Sequence, residues 1–96
     1  MLTGKQKRFL RSKAHHLTPI FQVGKGGVNE NMIKQISEAL EVRELLKVSI
    51  LQNCDDDRYD VADQLVEGTD AELVQVIGHT IVLYKESEEN KTIVLP

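Results

Sequence analysis

The sequence is short of the side chains on which several kinds of function depend. It has no tryptophan, and its rings are limited to Phe9, Phe21, Tyr59 and Tyr84. A platform that binds a nucleic acid by stacking several bases needs more exposed rings than this, so a backbone-directed mode fits better. Cys54 is the only cysteine, which excludes an internal disulfide and a cysteine-based zinc cluster. No apolar run is long enough to span a bilayer, and none at the start precedes a small-residue cleavage site. The expected compartment is therefore the reducing cytoplasm, with no membrane partner.

Acidic residues are also missing, but only locally. The formal net charge of -3 argues at first against a polyanionic partner. Its distribution argues for one. From Met1 to Val28 the charged residues are Lys5, Lys7, Arg8, Arg11, Lys13 and Lys25, without a single carboxylate. From Asp55 to Glu72 they are Asp55, Asp56, Asp57, Arg58, Asp60, Asp63, Glu67, Asp70 and Glu72. A polyanion responds to a local patch rather than to the sum over the molecule.

The rest of the composition is that of an ordinary globular chain, 41% hydrophobic and 28% charged. Its 96 residues suffice for one core, so residues 1–96 are expected to form a single domain. Thr3 followed by Gln6 reads as a capping box that opens a first helix. Leu10, Ala14 and Leu17 form its buried stripe, Arg8, Arg11 and His15 lie opposite, and Pro19 ends it. Ile20–Val23 reads as a strand running into Gly24-Lys25-Gly26-Gly27. Asn29 caps a second helix through about Arg43, with Ile33, Ile36 and Leu40 inward. Leu46–Leu51 is the second strand, parallel to the first across a right-handed crossover.

Asp55-Asp56-Asp57 introduces a third helix to about Glu67, with Val61, Ala62 and Leu65 buried. Acids in its first turn suit the helix dipole. Leu73–Ile77 and Thr80–Tyr84 form a hairpin, and Gly78 at the first central position favours a type II′ turn. Glu86–Asn90 reads as a polar loop, and Thr92–Leu95 as a short edge strand. The order αβαβαββ predicts an α/β sandwich, a mixed four-stranded sheet carrying three helices.

Glycines at a strand-to-helix junction allow a sharp turn and leave N–H groups beside the positive end of a helix. With Lys25 among them, Gly24, Gly26 and Gly27 suit a backbone phosphate. The loop has neither the Gly-Lys-Ser/Thr ending of a P-loop nor the glycine spacing of a dinucleotide fingerprint. Neither nucleotide hydrolysis nor hydride transfer is supported. His15 and His16, adjacent on a helix, would diverge by about 100° and not face one ion. Asp55-Asp56-Asp57 lacks the spacing of a calcium loop, and neither Cys54 nor the histidines complete a catalytic triad. No enzyme, cofactor, metal or small-molecule substrate is expected, and the chain is expected to act as a monomer.

The residues resemble the CRM domain family (chloroplast RNA splicing and ribosome maturation), in particular its stand-alone bacterial YhbY-type members. The resemblance rests on Leu2–Gln6, Leu17-Thr18-Pro19, Val23–Gly27, Glu44–Val48, Val76–Tyr84 and Leu95-Pro96. It implies a fold like the C-terminal domain of the third bacterial translation initiation factor. It also implies binding to precursors of the large ribosomal subunit, and so a role in ribosome assembly. In this family the GxxG loop is likened to that of KH domains, which clamps the nucleic-acid backbone. The role falls here to Gly24, Lys25, Gly26 and Gly27, and the basic surface to Lys5, Lys7, Arg8 and Arg11, with Lys13 and Lys47 alongside. His79 departs from the pattern, standing where many relatives carry Lys or Arg. An alternative role for the acidic residues Asp55, Asp56, Asp57, Asp60, Asp63 and Glu67 is to dock a basic ribosomal protein.

Overall fold

The computed structural model describes residues 1–96. Its elements are α1 (Gly4–Ala14), β1 (Phe21–Val23), α2 (Glu30–Arg43), β2 (Leu45–Ile50), α3 (Arg58–Thr69), β3 (Glu72–Ile77) and β4 (Thr80–Tyr84). The strands form one sheet in the order β1-β2-β4-β3. β1 and β2 are parallel, joined through α2, while β4 is antiparallel to both its neighbours. The mixed αβαβαββ architecture is as the sequence predicts.

Period-two alternation divides the apolar residues between the two faces of the sheet. Leu46, Val48 and Ile50 of β2, with Ile81 and Leu83 of β4, pack against Ile36 and Leu40 of α2 and Val61, Ala62 and Leu65 of α3. Leu45, Val82 and Tyr84 point the other way. They meet Leu10 and Ala14 of α1, together with Leu2, Val74 and Ile93. The sheet thus lies between α1 on one side and the α2–α3 pair on the other.

Local chemistry explains the element ends. The Thr3 hydroxyl accepts from the Gln6 amide at 3.1 Å, and the Gln6 side chain accepts from the Thr3 amide at 3.0 Å. Asn29 Oδ1 caps α2 through the Met32 amide at 2.9 Å, and Asp57 caps α3 through the Tyr59 amide at 3.0 Å. In the hairpin turn Gly78 has φ +56 and His79 has no positive φ, the φ signs of a type II′ turn.

Two expectations about the ends of the chain fail. The first helix stops at Ala14, so Leu17 is exposed rather than part of the buried stripe. Its amide bonds to the Ala14 carbonyl in a tightened last turn, and the chain must then extend toward Pro19. The segment Thr92–Leu95 is not a strand. It is held by side chains instead.

That hold comes from Glu44, which is fully buried. One carboxylate oxygen accepts from the Thr92 and Ile93 amides at 2.7 and 2.9 Å, the other from the Ser87 amide at 2.8 Å. Its own backbone adopts φ +64, a left-handed conformation that costs a non-glycine residue about 1–2 kcal/mol. Glu41, one helical turn earlier, accepts from the Ser87 hydroxyl at 2.6 Å and the Glu88 and Glu89 amides at 3.0 and 3.1 Å. Burial alone would push the Glu44 carboxyl up, but the amides of Ser87, Thr92 and Ile93 outweigh it and hold it below the usual range. The Ser87 hydroxyl, followed by the Glu88 and Glu89 amides, lowers Glu41 to about 2.

Replacing Glu44 with Ala strands three inward-pointing amides and is expected to cost about 3 kcal/mol or more, read as a lower urea midpoint. Both carboxyls are depressed in the folded state. Their contribution is therefore complete above the unfolded carboxylate pKa and disappears as pH falls through the folded values. For Glu41 that window runs from 4.5 down to about 2. Urea titrations across this range should show stability falling with pH, and less steeply in Glu41→Gln.

Candidate nucleic-acid interface

The basic residues of the N-terminal stretch lie on or beside α1. Lys5, Arg8, Arg11 and Lys13 are exposed and Lys7 is half-buried. None of them takes part in an ion pair. The two salt bridges of the chain join the Met1 amino group to Glu72 and Lys91 to Glu86. Lys13 sits 5.6 Å above the Phe9 ring, a contact along one helix flank. Lys47 is engaged differently: its ammonium donates to the Leu17 carbonyl at 3.1 Å and holds the segment that follows α1. Its role is more structural than the sequence suggests.

Gly24-Lys25-Gly26-Gly27 forms the turn from β1 to α2. The Gly27 amide donates to the Gly24 carbonyl at 3.0 Å, closing the turn, so it is not free for a ligand. The Lys25 and Gly26 amides have no partner within the protein, and both residues are exposed. Gly27 has φ +67, and a side chain there would begin 3.0 Å from Asp56 Oδ2. A Cβ on Gly26 would meet nothing within 4 Å. The loop offers two free amides and one mobile ammonium, with a carboxylate behind it. This is a smaller anion site than the four-residue pattern implies.

The remaining sequence candidates fall into place around it. The β3–β4 turn reaches the same end of the sheet, where the Ile50 amide donates to the His79 carbonyl at 2.7 Å. Arg58, which the sequence reading passed over, donates to the Gly78 carbonyl at 3.0 Å and braces this turn against α3. Of the acidic residues, Asp57 is used as the α3 cap and Asp56 faces Gly27. Asp60, Asp63 and Glu67 are exposed on α3, across the sheet from α1. His15 is the C-cap of α1, still with helical dihedrals, and His16 follows the helix end. Their rings lie edge to face, 5.2 Å apart. No three His, Cys, Asp or Glu side chains converge as metal ligands.

α1 carries exposed cations on one face of the sheet, the glycine turn leaves two amides open at the end of β1, and the acids of α3 lie on the other face. Comparison with known proteins places the chain in a family. Residues 2–85 match the CRS1/YhbY (CRM) domain, and the chain belongs to that family. It is 78% identical over 96 residues to the probable RNA-binding protein YqeI of Bacillus subtilis, covering all of both chains. It is 41% identical over 90 residues to an RNA-binding protein of Haemophilus influenzae, covering 94% of this chain and 91% of the relative. Its structure superposes on the solution structure of the Staphylococcus aureus protein SAV1595 with a TM-score of 0.83 at 66% identity, over the whole of both chains.

The two inner glycines of the loop should respond differently to substitution. Gly27→Ala forces a side chain into the left-handed region and against Asp56, and should cost about 1–2 kcal/mol in a thermal melt. Gly26→Ala should leave the melting temperature unchanged.

Proposed function

We propose that this protein binds RNA through the phosphate backbone, with α1 and the Gly24–Gly27 turn as its contact surface. The observation that carries the reading is the carboxylate-free stretch Met1–Val28, whose Lys5, Lys7, Arg8, Arg11 and Lys25 make no ion pair in a chain whose net charge is negative. Basic side chains that stabilise a fold are usually found beside carboxylates. These have none within bonding distance, and each can release counterions from a polyanion. Lys25 and the free amides of Lys25 and Gly26 would hold one phosphate, and the helix would neutralise its neighbours. The names of the YqeI and Haemophilus relatives support RNA as the polyanion.

The finer reading is that the target is precursor large-subunit ribosomal RNA, bound during ribosome assembly in the cytoplasm. It draws on the CRM family resemblance, whose stand-alone bacterial members imply that target. Crosslinking in cells followed by sequencing of the attached RNA tests it. Reads concentrated on large-subunit precursors are expected, and reads spread evenly over all transcripts would contradict it.

The surface itself is tested by replacing Arg8, Arg11 and Lys25 together with Ala. The fold should survive, since none of these side chains is buried or bonded. Each lost phosphate contact removes about 0.7–0.9 from the slope of log affinity against log salt, so the slope should fall by about two to three. At moderate salt the affinity for a large-subunit RNA fragment should drop at least about tenfold. An unchanged slope in gel-shift titrations would sink this assignment.

A further inference from the structure

α1 covers only part of the sheet face on its side. It buries Leu45, Val82 and Tyr84, the residues toward the start of β2 and the end of β4. Toward the other end of the same face, strand register sets Gln22 opposite Ser49, Ser49 opposite Thr80, and Thr80 opposite Ile77. These residues form an unbroken row across all four strands, about 14 Å long at ordinary strand spacing. Gln75 stands behind it, opposite Val82. Gln22 and Ile77 are exposed, and Ser49, Gln75 and Thr80 are half-exposed. None of the five is buried.

The surroundings of the row indicate what it meets. Helix phase puts Lys7 and Arg11 on one flank of α1 and Gln6 and Lys13 on the other. The second flank faces the C-terminal tail: Gln6 Nε2 donates to the Pro96 carbonyl at 3.3 Å, and Lys13 lines a cleft with Leu45 and Ile93. The tail sits at the covered end of the face. Lys7 and Arg11 therefore border the uncovered end. Lys25 follows Val23 at the β1 end of the row. The row itself contains no carboxylate, only amide and hydroxyl groups and one aliphatic side chain.

Resting on the RNA reading above, we infer that an extended single strand of RNA lies across this half-face. Its phosphates run along Lys7, Arg11 and the Lys25 turn, and its bases and 2′-hydroxyls contact Gln22, Ser49, Thr80 and Gln75. Short uncharged side chains that both donate and accept match base edges and the ribose hydroxyl. Ile77 adds apolar contact at the far end. With no ring in the row, recognition proceeds by hydrogen bonding rather than stacking. These residues contribute the sequence discrimination that the basic helix lacks.

The test uses the full-length isotope-labelled protein titrated with short randomised single-stranded RNA, and separately with an RNA hairpin. Amide and side-chain resonances of Gln22, Ser49, Gln75 and Thr80 should shift with the single strand, together with those of α1 and the turn. A Gln22→Ala, Ser49→Ala, Thr80→Val variant should bind the single strand about tenfold more weakly, with an unchanged salt slope because no charge is removed. Shifts confined to α1 and the turn, or unchanged affinity in the variant, would overturn the inference and leave RNA binding intact. Shifts of the row produced only by the hairpin would overturn the single-strand assignment. If wild-type protein binds neither RNA at low salt, the RNA reading falls, and this inference with it. Should the variant fail to fold, the wild-type titration still decides.

Discussion

The Glu44 carboxylate is the interaction on which the arrangement of the two faces depends. It lies at the end of α2, immediately before β2, where the core beneath α2 and α3 and the smaller core beneath α1 approach each other. By accepting from Ser87, Thr92 and Ile93 it folds the tail back across the end of the sheet. Ile93 then joins the α1 core, and the Pro96 carbonyl meets Gln6 of α1. A glycine would relieve the left-handed backbone at this position, but it could not accept those amides. The strain at Glu44 is thus retained for the sake of its side chain.

Anchoring the tail at one end of the sheet leaves the other end open. The GxxG turn, the β3–β4 turn and the uncovered polar row gather at that open end, braced by hydrogen bonds from Leu51 to Val23, from Ile50 to His79 and from Arg58 to Gly78. The anchored end uses its charges internally, through Glu41, Glu44 and the Lys91–Glu86 pair. The cations around α1 are unpaired. The stabilising carboxylates and the open polar row therefore lie at opposite ends of one small sheet.

Much of this architecture is legible in the sequence because it follows local rules. The caps Thr3–Gln6 and Asn29, the strand Thr80–Tyr84 and the hairpin glycine each rest on residues within a few positions of one another. The tail is not legible, because its bonds come from a residue more than forty positions away and replace a strand ladder with side-chain acceptors. Leu17 misleads for a related reason, since its spacing continues the apolar stripe after the helix itself has ended. The charge run identifies the basic surface, yet whether each cation is free or tied depends on tertiary contacts, as Lys47 shows. The polar row does leave a trace. Lys47 and Ser49 alternate with Leu46, Val48 and Ile50, the signature of a strand with one face toward solvent.

The position of Asp56 limits how the glycine turn can be used. It comes from the loop before α3 and stands 3.0 Å from where a Gly27 side chain would begin, behind the turn. A phosphate approaching from the α3 side meets this carboxylate, and beyond it the exposed Asp60 and Asp63. One approaching from the side away from Asp56 meets Lys25 and the free amides of Lys25 and Gly26. The amide of Gly27, the residue beside the acid, is also the one used internally by Gly24. Under the RNA-binding proposal, repulsion by Asp56 and the availability of the Lys25 and Gly26 amides favour the same direction of approach, and the acidic residues would help to orient the polyanion.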